Sequence, residues 1–145
     1  IDSEMQTYIL NTLENFTHPK NVIFEITESE GIDNYKIIKE FIIQIKTFGA
    51  QIAIDDFGSG YSNFMHLLEL EVDFIKIDGY IIKNIIDDKN SQALTKAIVS
   101  MAKELNIKVI AEYVSTKAIL NTVKSIGVDH SQGFYLGEPL PDIIK

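Results

Sequence analysis

The 145-residue chain has no cysteine, no tryptophan, three prolines and three histidines, and it is short of positive charge. Without cysteine it has neither a disulfide framework nor a thiolate zinc site, which fits a reducing compartment. Its 13 Lys and Arg are outnumbered by 21 Asp and Glu, for a formal net charge of −8. That balance speaks against DNA or RNA polymers as partners, because their binding needs a basic face that displaces counterions. A small phosphate ligand stays open, since bound cations reverse the local sign. No apolar run approaches the ~18–20 residues of a membrane span, and no signal peptide is visible. The chain begins at Ile1 without a Met, which reads as a processed product or a piece of something longer. With 46% hydrophobic and 23% charged residues it is globular in composition, and its length suits one domain.

Helical periodicity places five helices. Ser3 and Gln6 have capping-box spacing ahead of Met5, Ile9, Leu13 and Phe16, and Pro19 sets the end near Thr17. Asp33 can cap a second helix with the stripe Ile37, Ile38, Phe41, Ile42, Ile45 and Phe48, stopped by Gly49. A short helix covers Asn63 to Glu69. Another runs from about Ser91 to Leu105, with Leu94, Ile98, Met101, Ala102 and Leu105 inward. The last starts near Thr116, buries Leu120, Val123 and Ile126, and stops at Gly127. Between them lie strand-length apolar runs at Val22–Ile26, Gln51–Asp55, Asp73–Ile77 and Lys108–Glu112, with weaker ones at Val128–Asp129 and Phe134–Leu136. Strands alternating with helices predict βαβ units and a parallel sheet. Runs such as Val22-Ile23-Phe24, apolar on both faces, predict a sheet covered on both sides. Asp87 to Asn90 reads as a solvated loop.

The charged residues sit at informative positions. Glu25 is embedded in an apolar run, Asp55 and Asp56 close Gln-Ile-Ala-Ile, Lys76 lies inside Phe-Ile-Lys-Ile, Glu112 closes Lys-Val-Ile-Ala, and Gln132 follows the weak run at 128–129. An unpaired buried charge costs several kcal/mol, on the order of a whole domain's stability. Charges at successive strand ends must therefore meet one another or an ion. In a parallel sheet these ends share the edge where α/β proteins place their sites. Four carboxylates expected to face inward (Glu25, Asp55, Asp56, Glu112) and one ammonium leave excess negative charge. All-oxygen donors without cysteine favour Mg²⁺, Mn²⁺ or Ca²⁺ over Zn²⁺. Two such ions about 3.5–4 Å apart are a common apparatus for phosphodiester hydrolysis, with Lys76 placed to orient the attacking hydroxide or stabilise phosphoryl charge.

Gly58 and Gly60 lie between a strand and a helix. A dinucleotide-binding turn with Asp78 as its acid is a poor alternative, because Asn63 stands where that fingerprint needs Gly or Ala and the aspartate pair would repel a pyrophosphate. Phe57 and Tyr61 can touch a base or anchor the loop. Of the histidines, His18 reads as exposed, His66 as surface or packing, and His130 as a neighbour of Gln132 that can line the site.

Five motifs resemble the EAL domain family, the bacterial cyclic di-GMP phosphodiesterases: Phe24-Glu-Ile-Thr-Glu-Ser29, Ile54-Asp-Asp-Phe-Gly-Ser-Gly-Tyr-Ser62, Phe74-Ile-Lys-Ile-Asp78, Val109-Ile-Ala-Glu112, and Gln132-Gly-Phe-Tyr135 with Glu138-Pro-Leu-Pro141. The resemblance covers essentially the whole chain. It implies an α/β fold, a partial (β/α)₈ TIM-type barrel lacking its first strands, with residues 1–145 as the C-terminal portion of a single EAL domain. It implies metal-dependent hydrolysis of cyclic di-GMP to the linear dinucleotide, in a cytoplasmic signalling protein whose parent can be membrane-anchored. Glu25 and Asp55 resemble ligands of one ion, and Asp55, Asp56 and Glu112 ligands of a second, with Mg²⁺ or Mn²⁺ as the metal. Glu112 also resembles the general base, and Lys76 the residue that holds the nucleophilic water. Glu28 resembles a support for the Gly58–Gly60 loop, and Gln132 a polar residue near the second ion.

Two departures stand out. The Glu-Ala-Leu signature and the following Asn ligand are absent, which leaves the first metal site incomplete. The barrel's missing strands call for a partner, either a second copy or the missing N-terminal segment. The family's Ala-Glu-Gly-Val-Glu is here Ala111-Glu-Tyr-Val-Ser115. Tyr113 replaces a small residue, and Ser115 replaces an acid and reads as a helix N-cap. A degenerate EAL domain that binds the nucleotide or a protein partner is the alternative. A receiver domain is a weaker one, because its acids and lysine are more widely spaced than Asp55 and Lys76.

Overall fold

A computed structural model describes residues 2–27, 35–59 and 68–140. The elements are α1 (Ser3–Asn15), a 3₁₀ turn (Pro19–Asn21), β1 (Ile23–Thr27), α2 (Tyr35–Thr47), β2 (Gln51–Phe57), β3 (Phe74–Ile77), α3 (Gly79–Lys83), α4 (Lys89–Glu104), β4 (Lys108–Ala111), α5 (Lys117–Ile126) and β5 (His130–Ser131). Strand order follows the chain, β1-β2-β3-β4-β5. The chain forms two compact units, residues 1–75 and 76–145, so β3 gives its first half to one and its second half to the other.

In the first unit β1 and β2 pair in parallel, in register from Ile23 opposite Gln51 to Thr27 opposite Asp55. β2 carries Ile52, Ala53 and Ile54 in succession, all buried, as a strand covered on both faces must. β1 departs from that expectation: Ile23 is 42% exposed, because β1 stands at the end of the strand order. Helix α2 follows its apolar period, burying Ile38, Phe41, Ile42 and Ile45, with Ile37 on the open side. Helix α1 buries only Leu13, while Met5 and Phe16 are exposed. Its cap is Asp2, not Ser3: the Asp2 carboxylate accepts the Met5 N–H at 2.8 Å. The expected short helix at 63–69 lies mostly outside the described residues, as does the cap expected of Asp33.

The second unit contains an element that periodicity did not reveal. Asp78 accepts the Tyr80 N–H at 2.6 Å and starts α3, which is too short for a helical stripe to show. The supposed loop at Asp87–Asn90 is in fact the start of α4: Asp88 caps it, accepting from the N–H groups of Asn90 and Ser91, and Lys89 and Asn90 lie in the first turn. α4 buries Ser91, Thr95, Ile98 and Ala102, so Leu94, 40% exposed, is not part of its inner face. The Thr95 hydroxyl is satisfied by donating to the Ser91 carbonyl at 2.8 Å, which lets a polar residue sit inside. α5 is capped by Thr116, not Ser115, and ends at left-handed Gly127. β4 and β5 are parallel. Phe134–Leu136 forms a turn rather than a strand, with all three side chains exposed.

One device recurs at strand starts. Asp73, just before β3, accepts the Ile52 N–H at 2.8 Å and pairs with Lys46 at 3.1 Å. Asp129, just before β5, accepts the Val109 N–H at 2.9 Å and pairs with Lys108 at 2.7 Å. Each aspartate ties the start of its strand to the strand before it.

Candidate functional site

In the first unit β2 ends in Asp55-Asp56-Phe57. Phe57 is 2% exposed and anchors the strand end, which settles its role in favour of packing. Asp56 has φ +55, a left-handed conformation that Asp tolerates better than most residues. In regular strand, neighbouring side chains point to opposite faces. The left-handed residue breaks that alternation, and carboxylate oxygens of Asp55 and Asp56 lie within 4.8 Å of each other. Two like charges at that separation repel by about 3 kcal/mol at an effective dielectric of about 20, so the pair favours a cation. The Asp56 carbonyl accepts both the Ser59 N–H (3.3 Å) and the Ser59 hydroxyl (2.9 Å), opening the loop in which Gly58 has φ +93. Glu25 pairs with Ala53, two positions before the pairing of Thr27 with Asp55, so Glu25 and Asp55 occupy the same sheet face. Glu25 and Asp56 are nonetheless exposed rather than turned inward, and Asp55 is half-buried. Glu28 and Gly60 lie outside the described residues, as do Tyr61 and His66.

The second unit brings three expected residues together. Lys76 is only 4% exposed, and its Nζ lies 3.0 Å from Glu112 Oε1. Gln132 Nε2 donates to the same oxygen at 3.1 Å. Lys76 comes from β3, Glu112 from the residue after β4, and Gln132 from the residue after β5. Backbone bonds continue past both strands: the Gln132 N–H donates to the Ala111 carbonyl (2.9 Å), and the Gln132 carbonyl accepts from Val114 (3.0 Å). Glu112 is thus held from two sides by its backbone and at Oε1 by two side-chain donors. A buried ion pair is costly to desolvate and survives only with such added hydrogen bonds. His130 and His18 are both exposed.

Two features here escaped the sequence reading. Tyr113 has φ +58, and Gly133 approaches the Val114 backbone so closely that a Cβ at 133 would lie 2.4 Å from the Val114 nitrogen. The glycine of Gln132-Gly133 was the available signal, but its neighbour could not be read from the chain.

The family model for the EAL domain matches residues 2–139. The chain is 36% identical over 138 residues to the cyclic di-GMP phosphodiesterase PdeB of Shewanella oneidensis, covering 94% of this chain and 16% of that protein. It is 38% identical over 120 residues to the cyclic di-GMP phosphodiesterase PdeF of Escherichia coli, covering 83% of this chain and again 16% of the relative. The chain therefore spans about a sixth of the length of these curated relatives. Among solved structures it resembles a MucR phosphodiesterase in complex with cyclic di-GMP, with a TM-score of 0.88 and 33% identity over 96% of this chain and 57% of that one. It also resembles Klebsiella pneumoniae BlrP1 in a manganese and cyclic di-GMP complex, with a TM-score of 0.82 and 29% identity over 92% of this chain and 34% of that one. The fold is α/β and corresponds to part of the TIM-type barrel of these proteins. With a family match over nearly its whole length and these relatives beside it, the chain belongs to the EAL domain family.

Proposed function

We propose that residues 1–145 form the C-terminal portion of a single EAL domain whose parent protein hydrolyses one phosphodiester bond of cyclic di-GMP. The supporting observation is the convergence of Lys76 and Gln132 on one oxygen of Glu112. The relatives named as phosphodiesterases, and solved neighbours that contain cyclic di-GMP, favour the same substrate. In this reading Asp55, Asp56 and Glu112 hold a divalent cation, as the motifs they share with the family imply. The donor set fits Mg²⁺ or Mn²⁺, which take oxygen ligands, and Glu25 with Asp55 contributes to a second position. When bound, such ions supply Lewis acidity to the phosphoryl group.

The chain's own residues do the rest. Glu112 accepts the proton of the attacking water, and Lys76 orients that water while holding Glu112 in place. Water oxygen bonds to phosphorus, one P–O bond to a ribose breaks, and the freed ribose oxygen takes up a proton. Glu28 and Gln132 serve as supports, with Gly58 and Gly60 giving the loop its turn. A second copy, or an N-terminal segment of the same domain, completes the barrel, and the protein works in the cytoplasm.

The test is turnover by the full-length parent. It should convert cyclic di-GMP to the linear dinucleotide with Mg²⁺ or Mn²⁺, and stop when the metal is chelated. Tight binding of the nucleotide without turnover under any metal would instead establish a degenerate receptor.

A further inference from the structure

Tyr113 stands between two fixed residues. Glu112 is held by Lys76 and Gln132. Val114 is fully buried; its N–H donates to the Gln132 carbonyl at 3.0 Å, and its carbonyl accepts from Tyr135 at 3.1 Å. The bend that joins them forces Tyr113 to φ +58, which a bulky aromatic residue rarely adopts. The ring is 60% exposed, so burial does not explain why it is tolerated. What it touches does. The ring lies against Gly79, the first residue of α3 and three residues after Lys76. A Cβ at position 79 would sit 2.9 Å from Tyr113 Cδ2 and 3.0 Å from its Cβ.

We propose that Tyr113 is a positioning residue: seated on Gly79, it locks the left-handed bend after β4 to the segment carrying Lys76 and so fixes Glu112 against the lysine. The inference rests on the hydrolase reading for its catalytic consequence, but the contact itself does not depend on that reading. Gly79 is the small residue that admits the ring, and Asp78 holds Gly79 in place through its cap on Tyr80. Gly79 and Tyr113 thus meet across 34 positions of chain within the same unit.

A double-mutant cycle on the full-length protein tests this, using Gly79→Ala, Tyr113→Gly and the pair. Gly79→Ala alone should displace the ring and lower the melting temperature. Well below that temperature it should lower kcat by on the order of tenfold or more with little change in KM, because Glu112 acts in the transition state. It should also weaken Mn²⁺ binding measured by calorimetry. Tyr113→Gly alone removes the ring that makes the lock, so it too should lower kcat and Mn²⁺ affinity with little change in KM. Adding Gly79→Ala to it should cause little further loss, because both changes disrupt one contact. If Gly79→Ala lowers melting temperature alone, with kcat and Mn²⁺ affinity as in wild type, the contact is structural and the proposal falls. If Tyr113→Gly leaves kcat and Mn²⁺ affinity as in wild type, or if the losses of the two single variants simply add, the contact does not position Glu112 and the proposal again falls. A wild-type protein that does not turn over cyclic di-GMP, yet whose Mn²⁺ affinity follows the cycle, would overturn the hydrolase reading and leave the positioning role standing.

Discussion

Lys76 occupies a position where an ammonium ion is stable only beside an opposite charge: 4% exposed, within an apolar strand, 3.0 Å from Glu112. Removing it leaves Glu112 with its side chain 15% exposed and its main counter-charge gone. Lys76→Ala should destabilise the metal-free protein by about 3 kcal/mol in urea unfolding. In the parent it should lower kcat far more than it raises KM. Normal stability together with less than a tenfold loss of kcat would contradict both the ion-pair and the catalytic role. Asp55→Asn should be more damaging still to turnover in the proposed enzyme, since that proposal has Asp55 shared between the two metal positions. At Gly133 the limit is space, because a Cβ there meets the Val114 nitrogen at 2.4 Å and oxygen at 2.6 Å. Gly133→Ala should cost about 2–3 kcal/mol and pull Gln132 away from Glu112. These residues were legible to different degrees. Lys76, Glu112 and Gln132 announce themselves as polar groups at apolar strand ends. The left-handed backbone at Asp56 and Tyr113 does not, since neither residue type implies it.

Among the elements, helix ends follow local chemistry, and the mistakes in reading them are local too. Ser3 and Asp2 both offer a cap, and Asp2 wins because its carboxylate reaches Met5. Thr116 likewise displaces Ser115, accepting the Ile119 N–H at 3.2 Å. Thr116→Ala should therefore cost about 1 kcal/mol, whereas Ser115→Ala should be close to neutral. Two carboxylates at element starts carry a pH signature. The Asp88 carboxyl lies below its usual value near 3.8, chiefly through the Ser91 hydroxyl and then the Ser91 and Asn90 N–H groups. For Asp129, burial pushes upward, but the Lys108 hydrogen bond, the Val109 N–H and the charges of Lys108 and His130 outweigh it, so the net shift is down. A carboxyl depressed by folding stabilises the fold above its unfolded value and loses that contribution as pH falls through the folded one. Asp129→Asn should therefore cost roughly 1–2 kcal/mol at neutral pH. It should flatten the stability curve below pH 3.8, where wild type and variant converge. An undiminished acid slope in urea titrations of the variant would show that Asp129 does not carry it.

For the molecule as a whole, the excess of 21 acidic over 13 basic residues and the Asp55-Asp56 pair make divalent cations the natural stabilisers. Ca²⁺ and Mn²⁺ should both raise the melting temperature, with about 2.7 kcal/mol of stabilisation at a hundredfold excess over Kd. Only Mg²⁺ or Mn²⁺ should support turnover in the parent, because calcium's looser coordination holds the reacting groups less tightly. Equal turnover with Ca²⁺ would contradict that account. The sequence by itself determined the alternation of strands with helices, the inner faces of α2 and the charged strand ends, and through five motifs it identified the family. These are matters of period, capping and residue type, all readable within a few positions along the chain. Tertiary structure alone decided that β1 keeps an exposed face, that Thr95 rather than Leu94 turns inward, and that α3 forms at all. It also decided that Gln132 joins Lys76 on one oxygen of Glu112, across a separation of 20 residues. Burial of a face depends on what covers it, and a hydrogen bond on a donor brought from a distant strand, so neither is fixed until the chain has packed.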